Sequence, residues 1–218
     1  MTRQPVHTVL FDLDGTLTDT AILTKRALVR MSPVYGLDVP TEKMMKEAMG
    51  YATIEYVDRL YPDAPDAVRD EIISLIDQWE LDELENKKDI LFDGCLELLE
   101  RLQELGIRMC LVSTGTHIHV HRFISETGIA GYFDVIVCDC EDKTDAVREM
   151  IRGSDKRGIV FVGDMLKDYD AARRNGILSV GACYGYCDRG TMEFDLFIDH
   201  PMELLDMIQL NTKDLKRR

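Results

Sequence analysis

Five consecutive residues, Asp12-Leu13-Asp14-Gly15-Thr16, have the types and spacing that chemistry needs. Two carboxylates two positions apart on extended backbone point the same way. Gly15 lets the chain turn sharply and bares backbone N–H groups. Directly before them runs Val9-Leu10-Phe11, an apolar stretch that reads as a short buried strand. Both carboxylates therefore emerge at the C-terminal end of a strand, where α/β sheets place their ligands. The pair suits holding Mg²⁺ beside a nucleophile. Solvated turn residues are a poor account of two charges flanking a leucine straight after a buried strand.

Other polar groups recur in the same kind of place. Ser113-Thr114-Gly115 follows an apolar run at 109–112, and Lys143 follows one at 135–137. Gly163-Asp164 follows the run at 159–162, and Asp168 comes four residues later. Taken singly, each has an ordinary reading: a helix cap for Ser113-Thr114, a surface lysine for Lys143, an N-cap for Asp164. Their shared position past strand ends lets all of them converge on one crevice.

The elements that position them follow from periodicity. Residues 20–35 have a helical stripe of Ile22, Leu23, Ala27, Leu28 and Met31. Thr41 is placed to cap a helix to about Met49, where Gly50 interrupts, and a short helix ends near Tyr61-Pro62. A long helix is predicted over 66–88, so 18–90 reads as entirely helical. Asp93 is placed to cap a helix carrying Leu96, Leu98, Leu99, Leu102 and Leu105. Beyond it, apolar runs, including 178–180 and 196–198, alternate with helical patterns at 117–127, 144–151, 169–175 and 202–208. That alternation predicts an α/β fold, a doubly wound parallel sheet with helices on both faces. The Rossmann-like core spans 1–17 and 91–218, with the helical segment 18–90 inserted after the first strand.

The 218 residues are 45% apolar and 30% charged, enough for a sizeable core. With 26 basic against 40 acidic residues the net charge is −14. That argues against nucleic acid and anionic membrane surfaces as partners. An anionic substrate must be drawn in locally, by a metal and placed cations. Nothing approaches the length of a membrane span, and Met1-Thr2-Arg3-Gln4-Pro5 does not resemble a leader, so a cytoplasmic protein is expected. The six cysteines read as reduced, mostly buried thiols. Neither Cys138-Asp139-Cys140 nor Cys183 with Cys187 has zinc-site spacing.

The four stations resemble the four motifs of the haloacid dehalogenase-like superfamily, in its phosphatase branch. Phe11-Asp12-Leu13-Asp14-Gly15-Thr16-Leu17 is similar to the first motif, Val112-Ser113 to the second, Lys143 to the third, and Val162-Gly163-Asp164 through Asp168 to the fourth. The helical insert resembles the mobile cap of the subgroup that carries one there. The resemblance implies roles. Asp12 would attack phosphorus and become an aspartyl-phosphate. Asp14 would protonate the leaving alcohol and then activate water. Mg²⁺ would sit between Asp12, the Asp14 backbone carbonyl and Asp164. Lys143 would neutralise the transferring oxygens and keep Asp12 ionised. Ser113, with Thr114 and nearby N–H groups, would hold a phosphate oxygen. Asp168 would orient Lys143 or a metal-bound water, and Thr16 would support the site from behind.

Within that superfamily the second carboxylate, Asp14, separates phosphatases from true dehalogenases. Thr18-Asp19-Thr20-Ala21 is similar to β-phosphoglucomutase-like members. Their caps, however, carry a Lys-Gly-x-x-Arg pattern, and here the stretch reads Met49-Gly50-Tyr51-Ala52-Thr53. A hydrolase of small phosphorylated metabolites, similar to phosphoglycolate phosphatases, is the expectation. Those enzymes commonly have Thr-Asn where this chain has Ser113-Thr114. A phosphomutase is the alternative, and a non-catalytic phosphate-binding protein the reading from outside enzymology. Tyr51, Thr53 and Tyr56 are the candidates for choosing the leaving group. His117, His119 and His121 invite a metal reading, but on a helix His119 points away from the other two. All three are expected as solvated residues near the site mouth. Asp139, Glu141, Asp142 and Asp145 around Lys143 are expected to be mostly solvated, and Lys216-Arg217-Arg218 is too short a basic tail to imply a partner.

Overall fold

The computed structural model describes residues 5–48, 51, 53–86, 90–140 and 142–213. Met49, Gly50, Ala52, Lys88, Glu141 and the basic tail, all invoked above, lie outside the described residues. Six parallel strands form one sheet in the order β3-β2-β1-β4-β5-β6. They are β1 Thr8–Phe11, β2 Arg108–Val112, β3 Val135–Val137, β4 Ile159–Gly163, β5 Leu178–Ala182 and β6 Leu196–Ile198. This is the doubly wound order, and its switch point lies where the chain leaves β3 and crosses to β4 beside β1.

The apolar runs are explained by burial on both faces. Val9 and Phe11 pack with Leu98, Leu102, Phe123 and Leu204 on one side. Leu10, between them, points to the other side with Val147, Phe161 and Ala171. The first layer comprises α5 (Cys95–Glu104), α6 (His117–Glu126) and α9 (Glu203–Lys213); the second holds α7 (Lys143–Met150) and α8 (Leu166–Asn175).

Between β1 and α5 the described elements are all helices. The chain forms α1 (Thr20–Met31) with a 3-10 turn at Ser32–Tyr35, then α2 (Glu42–Ala48), α3 (Thr53–Leu60) and α4 (Asp66–Asn86). These helices bury an apolar cluster of their own that includes Leu28, Met31, Val57, Leu60, Ile72 and Ile76. The chain leaves and re-enters the sheet layer side by side. Asp19 N–H donates to the Ile90 carbonyl at 2.7 Å, and Phe92 N–H to the Leu17 carbonyl at 3.0 Å. Farther along α4, Leu81 and Leu84 join the main core instead.

One local expectation is corrected. Asp93 does not cap α5: Gly94, with φ +83°, holds the N-cap position and no side chain caps the helix. The reason is the next turn, where a left-handed residue is needed and Asp93 stays exposed. On α5 Cys95, Leu98, Leu99 and Leu102 are buried, while Leu96 and the C-cap residue Leu105 face solvent, because one helix face meets the sheet. All six cysteines are free, three buried and three half-buried. No helix among the described residues is long and apolar enough to cross a membrane.

Candidate active site

Asp12 follows β1 directly and stays in register, its N–H donating to the Val162 carbonyl of β4 at 3.0 Å. Leu13 turns into the core, which sends Asp12 and Asp14 to the same side. The chain then coils tightly, with Gly15 N–H donating to the Thr18 carbonyl at 2.8 Å. Gly15 has φ +81°, and a Cβ there would lie 2.3 Å from Asp164 Oδ2. Only glycine combines this turn with such a close approach.

Lys143 opens α7 and is buried, 4% exposed. Its Nζ donates to Asp12 Oδ1 at 2.5 Å and to Asp168 Oδ1 at 2.7 Å. Asp168 is held from behind: its Oδ2 accepts the backbone N–H of Asp164 at 3.2 Å and of Met165 at 3.0 Å, capping α8. Gly163 makes this possible, since a Cβ there would meet the Asp168 side chain at 2.3 Å. Thr16 donates its hydroxyl to Asp164 Oδ1 at 3.2 Å. Asp164 Oδ2 is buried and has no hydrogen-bond partner. Three buried carboxylates, Asp12, Asp164 and Asp168, thus bring oxygens within 4.8 Å of one another around a single ammonium. The charge state follows. Burial pushes Asp12 up to about 7 against the pull of Lys143. Burial, then the nearby Asp12 and Asp168, raises Asp164 as well. Lys143 is raised, because Asp12 and Asp168 outweigh its burial.

A small cavity of about 70 Å³ opens onto Asp12, Asp14, Lys143, Asp164 and Thr114. Beside it lies a larger one, about 160 Å³, lined by Tyr51, Thr53 and Tyr56 from the helical insert and by Asp14 and Thr114 from the sheet side. Asp14, Thr20 and Thr114 line both cavities and mark their junction. Ser113 is buried, and its hydroxyl oxygen accepts the Gly115 N–H at 3.0 Å.

The histidine run needs correction. His117 and His121 are exposed and lie against each other, with ring centroids 4.1 Å apart and planes tilted by 31°. His119 is not solvated: it is 8% exposed and its Nε2 lies 3.0 Å from Asp14 Oδ1. Its Nδ1 lies 3.7 Å from Glu80 Oε2 on α4, and its ring stacks on Phe123. Burial disfavours its charge, but Asp14, Glu80 and Asp77 outweigh that and lift His119 to about 9. Asp14 is half-buried, and the charge and hydrogen bond of His119 outweigh its desolvation and hold it below the usual carboxylate range. Sequence reasoning missed His119, Asp77, Glu80, Thr20 and Tyr186. A signal for His119 existed: it stands one turn before buried Phe123, on the apolar face of α6. Glu80 continues the Ile72–Ile76 stripe of α4 in the same way. Tyr186, which donates to Asp19 at 3.1 Å and accepts the Ala21 N–H at 2.9 Å, had no pattern to mark it.

A doubly wound sheet carrying acids at the ends of β1 and β4 and a lysine after β3 defines a class of hydrolase. The chain belongs to the haloacid dehalogenase-like hydrolase family, whose model matches residues 9–182. An N-acetylmuramic acid 6-phosphate phosphatase of Pseudomonas aeruginosa is 26% identical over 95% of this chain and 97% of its own length. A phosphoglycolate phosphatase of Agrobacterium fabrum is 27% identical over 91% of each chain. The crystal structure of a β-phosphoglucomutase from Clostridium difficile shares the fold, with a TM-score of 0.75 at 18% identity, over 98% of this chain and 100% of that one.

Proposed function

We propose that the chain is a Mg²⁺-dependent phosphatase that hydrolyses a small phosphate monoester through a phosphoryl group carried on Asp12. The observation that carries this reading is the position of Asp14. It stands where the 70 Å³ cavity with Asp12 and Lys143 meets the 160 Å³ cavity under the insert. A phosphate in the first and an alcohol in the second would place the bridging oxygen beside Asp14.

The residues fit a divalent cation. Asp164 Oδ2 is a buried carboxylate oxygen without a partner, and leaving it so would cost about 1–3 kcal/mol or more. Three carboxylates face one lysine, so the site lacks positive charge. Asp12, Asp164 and the Asp14 backbone carbonyl are the oxygen ligands we assign, with Asp168 reserved for Lys143. Bound there, Mg²⁺ supplies charge screening between the Asp12 carboxylate and the incoming phosphate.

In the reaction, an Asp12 oxygen forms a bond to phosphorus while the ester P–O bond breaks. The leaving oxygen takes its proton through Asp14, from the proton that His119 holds in their hydrogen bond. Water then attacks the phosphoryl group, Asp14 takes its proton, and the Asp12 carboxylate is released with inorganic phosphate. Lys143 balances charge on Asp12 throughout and is itself fixed by Asp168. Thr114 and backbone N–H groups at the end of β2 would take a phosphate oxygen, with Ser113 shaping that turn. Residues 18–90 act as a cap over residues 1–17 and 91–218, hinged where Leu17 and Asp19 pair with Ile90 and Phe92. The free cysteines suit a reducing cytoplasm.

A phosphomutase of the β-phosphoglucomutase kind is the second reading, favoured by the shared fold. Isotopic water separates the two, since a hydrolase places solvent oxygen in released phosphate. A panel of phosphorylated metabolites, assayed for phosphate release with Mg²⁺, tests the proposal. Mg²⁺-dependent release that disappears in Asp12→Asn is expected. Release retained in that variant would refute it.

A further inference from the structure

Besides Asp14, Thr114 and His119, the 160 Å³ cavity is walled by groups that the reaction itself does not use. Two carboxylates of α4, Asp77 and Glu80, face it from the insert. Asp77 Oδ2 accepts the Thr116 hydroxyl at 3.0 Å, and Glu80 Oε1 accepts the Thr24 hydroxyl at 2.7 Å. Thr53 adds a further hydroxyl. The independent sign of a ligand is Tyr56. Its side chain lines the cavity and the residue is only 8% exposed, yet its buried hydroxyl has no hydrogen-bond partner. A buried hydroxyl in that state is a donor awaiting an acceptor.

The cavity is also short of cations. No lysine or arginine lines it among the described residues. Arg59 stacks on the Tyr51 ring at 3.7 Å but pairs with Glu55 at 2.9 Å. Among the described residues His119 is the one basic side chain in the wall, and its two nitrogens already face Asp14 and Glu80. A carboxylate or second phosphate entering here would meet Asp77 and Glu80 with no charge left to pair it. Hydroxyl groups would meet acceptors on Asp77 and Glu80 and a donor on Tyr56.

We propose that Asp77, Glu80 and Tyr56 form a leaving-group site that reads neutral hydroxyls and excludes a second negative charge. The enzyme would therefore select monophosphates of sugars or polyols. This rests on the phosphatase reading above, and it parts the chain from its named relatives, since phosphoglycolate and N-acetylmuramic acid both bring a carboxylate. The selection comes from both sides of the balance: hydroxyls are matched and anions are left unpaired.

The test measures binding apart from turnover. The Asp12→Asn protein, with Mg²⁺, is titrated calorimetrically with a hexose 6-phosphate, phosphoglycolate and a hexose bisphosphate. The hexose monophosphate is expected to bind at least about tenfold tighter than either of the others. Equal or tighter binding of phosphoglycolate or the bisphosphate overturns the inference, whether or not the wild type hydrolyses them. Should the wild type hydrolyse none of the three while the binding order holds, the phosphatase reading fails and the site assignment stands. Tyr56→Phe is expected to weaken hexose 6-phosphate about 3- to 10-fold more than phosphoglycolate. Asp77→Asn is expected to narrow the gap between them. Losses equal for all ligands in both variants would also overturn the assignment. Should Asp12→Asn fail to fold, the wild-type kcat/KM ratios for the same esters test the same order, and a ratio that does not favour the hexose monophosphate overturns the inference.

Discussion

The sheet end and the helical insert are built on opposite terms. At the sheet end, Asp12, Lys143, Asp164 and Asp168 are all at least 95% buried, and each is tied to another through hydrogen bonds or shared charge. In the insert, Tyr51 is 41% exposed and Tyr56 keeps a hydroxyl without a partner. The first region is organised around a fixed reaction, whereas the second leaves groups to be satisfied by whatever enters. Asp14 and His119 join them, one hydrogen bond linking the end of β1 to the face of α6 that meets α4. Chemistry and choice of substrate should therefore respond differently to substitution: sheet-end changes should cost every substrate alike, and insert changes should reorder them.

The largest effect is expected from Asp12→Asn, which should lower phosphate release by at least about 10⁴-fold on every ester. A thermal melt should show the fold retained. A substrate-dependent loss would break the contrast at its strongest point. Asp14→Asn should follow, at about 10²- to 10⁴-fold. With a good leaving group such as p-nitrophenol, rapid-quench kinetics should show dephosphorylation slowed more than phosphorylation. Removing the metal acts on the same region. Mg²⁺ at about a hundred times its Kd should stabilise the wild type by about 2.7 kcal/mol, read as a rise in Tm. Asp164→Asn should abolish that rise, and an undiminished rise would remove Asp164 from the ligand set. The smallest effect belongs to the insert. Tyr51→Ala should change the ranking of substrates a few-fold while changing turnover of a small generic ester less. Uniform loss on all substrates would erase the distinction between the regions.

Much of the sheet end was legible from sequence because strand topology does the work. Apolar runs buried on both faces are unmistakable, and a polar residue just past each one must lie on the same edge of a parallel sheet. Asp12, Lys143 and the pair Asp164 and Asp168 are brought together from three places in the chain, after β1, β3 and β4, by that rule. The wall of the larger cavity was legible only in part. Tyr51, Thr53 and Tyr56 do line it, but Asp77 and Glu80 sit on a long helix whose facing depends on tertiary packing. His119 was misplaced for a related reason. The two flanking histidines do lie on the solvent face, and His119, two residues from each, is carried about 200° round the helix into the interior. Asp93 misled because a cap preference is local, whereas the turn before α5 requires the positive φ that Gly94 supplies.

The central claim is that the phosphoryl group rests on Asp12 between two displacements. The stereochemical course at phosphorus tests it most directly, with an isotopically chiral phosphorothioate ester hydrolysed in isotopic water. Two successive in-line displacements, on Asp12 and then on water, predict net retention of configuration. Net inversion would mean a single attack by water and would contradict the account.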